Sequence, residues 1–261
     1  MAEDPEIELT GGNISSVVRV GDTVRRSTGP WTPAVHALLR FLEAHHFDGA
    51  PHALGTDPRG REILSYMSGD VFPYPMPESV WTDDTLRDVA LLIRRYHDIV
   101  ASFQPPAHAR WQTMVGAPVH GPIICHNDLA PYNTVFREKG PVGFIDWDLA
   151  SPGDRLYDIA YAVWYWIPLH DTNTVPLGSQ SRRLRLFCDA YGLEGEERRD
   201  LLPMIEYRQE VVRRTLVTWG EAGKPGWAEQ LRSGHLQDKL DSRDWLQRHR
   251  RELEHALVEA R

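Results

Sequence analysis

No regular element can run through residues 71–78, V-F-P-Y-P-M-P-E, because Pro73, Pro75 and Pro77 each fix φ and remove a backbone donor. The segment divides the chain into two stretches of different pattern. Before it, short β-branched runs are punctuated by Gly, Asp and Asn, which is how strands and hairpins read. After it, apolar residues recur three and four apart, as on amphipathic helices. The spacing therefore predicts an α+β chain of two lobes, with a β-rich front, a linker and a mainly helical back. A cleft between lobes is where ligands bind.

In the front, Glu6–Leu9 reads as a short strand, followed by T-G-G-N-I-S-S at 10–16. The runs 17–20 and 23–26 flank Gly21-Asp22, a two-residue hairpin turn in which Gly supplies the positive φ. Residues 33–45 carry Val35, Leu38, Leu39 and Leu42 at helical spacing. A second hairpin turns at Asp57-Pro58-Arg59-Gly60 and returns as E-I-L-S-Y-M, 62–67. The predicted domains are a front lobe over 1–70, a linker over 71–80 and a back lobe over 81–261. Thr82 or Asp83 caps a helix bearing Leu86, Val89, Ile93, Tyr96 and Val100. Residues 121–148 break the helical pattern, with strand candidates at Ile123–Cys125, Thr134–Phe136 and Val142–Ile145. Further helices are predicted over 155–167, 180–191, 196–219 and 241–260.

The 261 residues are 41% hydrophobic, enough to build cores in two lobes. A net charge of −8 argues against nucleic acid as a partner, since binding a phosphate backbone needs an excess of Lys and Arg. The longest apolar run, Ile159–Leu169, is far below the roughly 20 residues of a membrane span. The first residues, M-A-E-D-P-E, have neither the basic nor the apolar region of a signal peptide. Two cysteines, Cys125 and Cys188, make no disulfide framework or metal spacing. A cytoplasmic protein with no membrane partner is expected.

The chemistry concentrates in I-C-H-N-D-L-A-P-Y-N-T-V-F, 124–136, where a polar cluster interrupts two apolar runs. Asp128 and Asn133 leave one short strand and precede another. A carboxylate can take a proton from an attacking hydroxyl, and a carboxamide oxygen can hold a hard cation. In G-F-I-D-W-D-L-A, 143–150, Asp146 ends another apolar strand. If 134–145 forms a hairpin, Asp146 returns beside Asn133. The pair would then form an oxygen site for Mg2+, with Asp128 as base, the minimal layout for phosphoryl transfer. A capped surface turn is the plain alternative, since Asp and Asn favour turns. Asp154 also reads simply as a helix cap.

The series His126-x-Asp128-x4-Asn133, Ile145-Asp146-x-Asp148 and Gly153-Asp154-x3-Asp158-Ile159-Ala160 resembles the aminoglycoside phosphotransferase and choline kinase family. It is similar to that family's H-G-D-L-H-P-x-N, with Asn127 in place of Gly, Ala130 in place of His, and Pro131 matching. The resemblance implies the bilobal protein-kinase-like fold. It implies ATP (or GTP) and Mg2+ as cofactors, and transfer of the γ-phosphate to a hydroxyl of a small molecule. Asp128 would be the catalytic base, and Asn133 and Asp146 the metal ligands. Asp148 would support the metal site, while Asp158 and His126 would brace the catalytic loop.

The same resemblance places nucleotide contacts in the front lobe. Gly12, Asn13, Ser15 and Ser16 of the 10–16 loop would cover the phosphates, and the backbone around Ser65–Met67 would meet the base. The family's basic residue on the third strand corresponds to Arg25 or Arg26; motif spacing favours Arg25, and strand alternation does not choose. Its helix Glu partner should fall near Val35 or His36, where no carboxylate stands. The usual ion pair is therefore expected to be absent. That absence motivates an alternative, a nucleotide-binding regulatory module with little transfer activity. The acceptor could be an amino sugar, a choline-like alcohol, a sugar or an antibiotic. Trp164, Tyr165, Trp166 and Trp219 read mainly as core, and Glu194, Glu196 and Glu197 as a solvated helix face.

Overall fold

The computed structural model describes residues 5–9, 17–138, 140–170 and 176–258. Gly12, Asn13, Ser15 and Ser16 lie outside the described residues, so the phosphate-covering loop expected there is not described. The front lobe is an antiparallel five-stranded sheet with one helix. Its elements in chain order are β1 (Ile7–Glu8), β2 (Val18–Val20), β3 (Thr23–Arg26), α1 (Thr32–Ala44), β4 (Ala53–Thr56) and β5 (Glu62–Ser65). The spatial order is β1-β2-β3-β5-β4. The β2–β3 hairpin closes on the pair Val20 and Thr23, with Gly21 at φ +58°, a conformation that glycine adopts without steric cost. Helix α1 buries Val35, Leu38, Leu39 and Leu42, the stripe legible in the sequence.

After the proline-rich segment comes α2 (Asp83–Val100), capped by the Thr82 hydroxyl, which accepts from Thr85 N at 3.2 Å. The strands β6 (Ile123–Cys125), β7 (Thr134–Arg137), β8 (Gly140–Phe144) and β9 (Ser151–Gly153) follow. They form two small antiparallel ladders, β6 with β9 and β7 with β8. The remainder is helical: α3 (Arg155–Trp166), α4 (Leu177–Tyr191), α5 (Gly195–Glu221), α6 (Trp227–Arg232), α7 (His235–Arg248) and α8 (Arg250–Val258). Two elements differ from expectation. Ser151-Pro152-Gly153 reads as a turn yet pairs with β6, and its proline is tolerated because β9 is an edge strand. The tail expected as one helix over 241–260 is two, separated at His249, so that Trp245 and Leu246 on one piece and Leu253 and Leu257 on the other are all buried.

One apolar cluster runs through both lobes, joining Leu38, Leu39 and Phe47 to Leu86, Ile93 and Tyr96 of α2 and to Ile159 and Val163 of α3. The β7–β8 hairpin is also pressed against the front lobe and linker. Phe144 N donates to Gly49 O at 2.8 Å, and Asp70 and Phe136 exchange backbone bonds at 2.8 Å each. A Cβ at Gly143 would lie 2.3 Å from Met67 Cε and 2.9 Å from the Gly49 backbone, so this close approach requires glycine. The hairpin is thereby fixed beside the linker with a polar loop at each end.

Candidate active site

Strand β6 ends at Cys125, and the chain turns through His126 and Asn127 to present Asp128. Asn127 adopts φ +68°, a left-handed conformation that Asn tolerates better than most residues. Its side-chain amide donates to Leu149 O at 2.9 Å and Ser151 Oγ at 2.8 Å. The turn is held from α3 by the fully buried Asp158. Its carboxylate accepts from His126 N and Asn127 N, each at 2.8 Å, and lies 3.1 Å from His97 Nε2. Burial works against the charge of Asp158, but the His97 hydrogen bond and charge and these amides outweigh it and hold the carboxyl below its usual range. His97 meets the Tyr191 hydroxyl through its other nitrogen at 2.8 Å.

His126 is buried and faces structure rather than the cleft. Its Nδ1 accepts from Asp128 N at 3.2 Å, and its Nε2 lies 3.1 Å from Ile145 O. That pattern selects the neutral tautomer with the proton on Nε2, and burial lowers the ring's pKa in the same sense. The imidazole thus ties the Asp128 turn to the strand that carries Asp146. Cys125 Sγ donates to Asp154 O at 3.3 Å, and burial pushes the thiol up. Asp154 caps α3 by accepting from Tyr157 N at 2.9 Å, the plain role its position indicates.

Asp128 is clamped on both oxygens. Tyr132 donates to Oδ1 at 2.9 Å and Asn133 Nδ2 donates to Oδ2 at 2.8 Å. Burial first, then the neighbouring Asp146 charge, raise its pKa to about 6, against hydrogen bonds from Tyr161 and Tyr132. A carboxylate so tuned is ionised at neutral pH yet basic enough to take a proton. Because the Asn133 amide nitrogen points at Asp128, its Oδ1 remains as the acceptor end of the carboxamide. Asn133 O accepts from Ile145 N at 2.9 Å, so the β7–β8 return does bring Asp146 back beside Asn133. Asp146, at φ +62°, starts the next turn with its side chain half exposed.

The front lobe contributes Arg26. Its buried guanidinium contacts Glu62 at 2.5 Å, Asp146 at 3.0 Å and Asp148 at 2.6 Å. Arg25 projects elsewhere and donates to Thr23 Oγ1 at 2.6 Å. The geometry therefore corrects the preference for Arg25: Arg26 is the arginine brought to the site. The helix carboxylate is absent, as expected, but Arg26 does have an acidic partner. The acid comes from β5, where Glu62 lies directly across from Arg26, and the second oxygen of Glu62 lies 2.9 Å from His36 Nε2 on α1. Helix α1 supplies a histidine where a carboxylate was sought. Burial raises the pKa of Asp148 to about 6, with the Arg26 charge opposing.

Ser65 ends β5, its amide bonded to His52 O at 2.9 Å and its hydroxyl accepting from His52 N at 2.8 Å. Met67 follows and packs toward Gly143. Of the residues foreseen, Asp128, Asn133, Asp146, Asp148, His126 and Asp158 come together, and Ser65 and Met67 line the linker side. Glu62, His36, Tyr132, Tyr161 and Arg208 were not foreseen. An acid at the head of a short apolar strand was the one local hint for Glu62. Fully buried Arg208 donates to Asn127 O at 2.5 Å from the distant helix α5, which no local pattern announces.

Residues 81–202 match the model of the phosphotransferase enzyme family. The chain is 35% identical over 97% of its length, and 99% of the relative's, to a trifolitoxin immunity protein of Rhizobium leguminosarum bv. trifolii. Two solved structures share the fold. One is the GDP complex of wild-type aminoglycoside 2'-phosphotransferase-IIIa, 17% identical, covering 92% of this chain and 94% of that one, with a TM-score of 0.61. The other is an amicoumacin kinase with AMP-PNP and Ca2+, 12% identical, covering 95% and 87%, with a TM-score of 0.66. On its fold and its family match, the chain belongs to the phosphotransferase family of aminoglycoside phosphotransferases and choline kinases, with their bilobal protein-kinase-like architecture.

Proposed function

We propose that this phosphotransferase uses ATP (or GTP) and Mg2+ to phosphorylate a hydroxyl of a small molecule. Residues 1–70 act as the nucleotide lobe, 71–80 as the linker, and 81–261 as the lobe of catalytic loop and acceptor helices. The observation that carries the reading is Asp128, half-buried, oriented on both oxygens and poised near pH 6. Its carboxylate takes the proton of the acceptor hydroxyl as that oxygen bonds to the γ-phosphorus and the bond to the β-phosphate oxygen breaks, releasing the nucleoside diphosphate. The half-exposed Asp146 and the carboxamide oxygen of Asn133 fit Mg2+, which is commonly held by one or two protein oxygens with phosphate and water completing the shell. Bound there, the ion would neutralise phosphate charge. Arg26 meets the phosphates from the other lobe, positioned by Glu62. The backbone near Ser65–Met67 faces the base.

The name of the 35%-identical relative, an immunity protein, supports an acceptor whose modification protects a cell from a toxic compound. The regulatory-module reading rested on the missing helix acid; the strand carboxylate Glu62 beside Arg26 favours the phosphotransferase reading instead. Asp128→Ala tests the proposal. Turnover across a hydroxyl panel, read by nucleoside diphosphate release and product mass, should fall by roughly 10²–10⁴-fold, the usual contribution of a general base. Nucleotide affinity should be kept. Full turnover in the variant overturns the mechanism.

A further inference from the structure

Lysine occurs three times in this sequence, at 139, 224 and 239. Lys239, on α7, sits over a cluster of rings beside Asp128. Tyr132, which donates to Asp128, meets the Tyr161 hydroxyl at 2.8 Å. Tyr165 lies 4.6 Å from Tyr161, 5.8 Å from Tyr132 and 4.9 Å from Trp164, centroid to centroid. Tyr132 and Tyr165 are partly exposed, so the cluster has a face open to a ligand. Rings grouped in this way next to a reactive carboxylate would ordinarily offer an organic cation a seat on their faces.

Here the chain has filled those seats itself. Lys239 Nζ is 5.1 Å from the Trp164 ring and 5.3 Å from the Tyr165 ring, and it donates to the Tyr165 hydroxyl at 2.9 Å. From beneath, the Arg208 guanidinium is 4.6 Å from the Tyr161 ring and 4.7 Å from the Tyr157 ring. Among the described residues neither cation is paired with a carboxylate. The acids of the adjoining helix are consumed by other partners: Glu210 by Arg213, Arg214 and Arg243, and Glu206 by Arg250. The Arg208 charge also acts on the Asp128 carboxylate, which leaves Lys239 as the cation of the cluster with no carboxylate partner among the described residues. A cationic acceptor would have to displace Lys239 or bind against it.

We propose that the acceptor subsite selects an uncharged or anionic hydroxyl compound with a planar apolar body, which stacks on Tyr132 and Tyr165 and offers its acidic or electron-rich group to Lys239. The proposal rests on the reading of Asp128 as the base.

Three probes with one ring and one benzylic hydroxyl separate charge from shape: para-hydroxymethyl benzoate, benzene dimethanol, and the para-hydroxymethyl trimethylanilinium ion. Calorimetric titration of the wild-type chain should show the benzoate binding at least about tenfold tighter than the cation. Lys239→Met should reverse that order, and Lys239→Arg should keep it, both with unchanged melting temperature. Equal or tighter binding of the cation by the wild type overturns the proposal, as does failure of all three probes to bind. The wild-type order persisting in Lys239→Met also overturns it. Turnover distinguishes the two readings. Anion preference without phosphorylation sustains the subsite and counts against the phosphotransferase. Preferential phosphorylation of the cation does the opposite.

Discussion

Arg25 and Arg26 are adjacent, identical in type and opposite in surroundings. Strand alternation sends their side chains to different faces of β3, and the face of Arg26 is the one covered by α1 and by the Asp146–Asp148 turn. Buried Arg26 is matched by three carboxylates, so removing it leaves Glu62 buried with only His36 for company. Arg26→Ala should therefore destabilise the fold by about 3–5 kcal/mol in urea unfolding, and should weaken nucleotide binding. Arg25→Ala should stay within about 0.5 kcal/mol and leave that affinity unchanged. Equal effects of the two substitutions in the same titrations would show that the buried network is not what holds this corner together.

At the scale of elements, the β7–β8 hairpin carries the argument. It brings Asn133 and Asp146 together and seats them against the linker through Gly143. Gly143→Ala places a methyl against Met67 and the Gly49 backbone. Overpacking of this sort costs about 1–3 kcal/mol, read as a lowered urea midpoint, and should also raise the nucleotide KM by moving the linker. What was legible in the sequence was local. The α1 stripe, the Gly21-Asp22 turn, the Thr82 cap and the Asp128-to-Asn133 spacing depend on neighbours along the chain. What was not legible depended on register or distance. The Arg26–Glu62 pairing needs β3 and β5 aligned residue for residue, β9 exists because β6 is there to pair with it, and Lys239 and Arg208 reach the rings from distant helices, Lys239 from 74 residues beyond Tyr165. A search for the family's helix carboxylate fails because the charge is kept while its element changes.

For the whole molecule, Asp158 is the knot. From α3 it holds the His126–Asp128 turn and binds α2 through His97, so one carboxylate couples three segments. Its pKa is lowered in the folded chain, so it stabilises the fold above its unfolded value of about 4, and that contribution is lost as pH falls through the lower folded value. Asp158→Asn should cost about 3–5 kcal/mol at neutral pH, since His97 loses its partner and only one of the two backbone amides keeps an oxygen acceptor. The gap between the two proteins in urea unfolding should hold down to about pH 4 and close below it. A gap that narrows instead on going from pH 7 to pH 5 would place the titration on another group.

The move of the acid from helix to strand has a further consequence. In protein kinases the lysine–glutamate pair must be assembled by the position of a mobile helix, which is how such enzymes are turned on and off. Here Arg26 and Glu62 face each other across adjacent strands, so the pair does not depend on the placement of a helix. A phosphotransferase built this way does not have that helix movement available as a switch on its arginine–carboxylate pair.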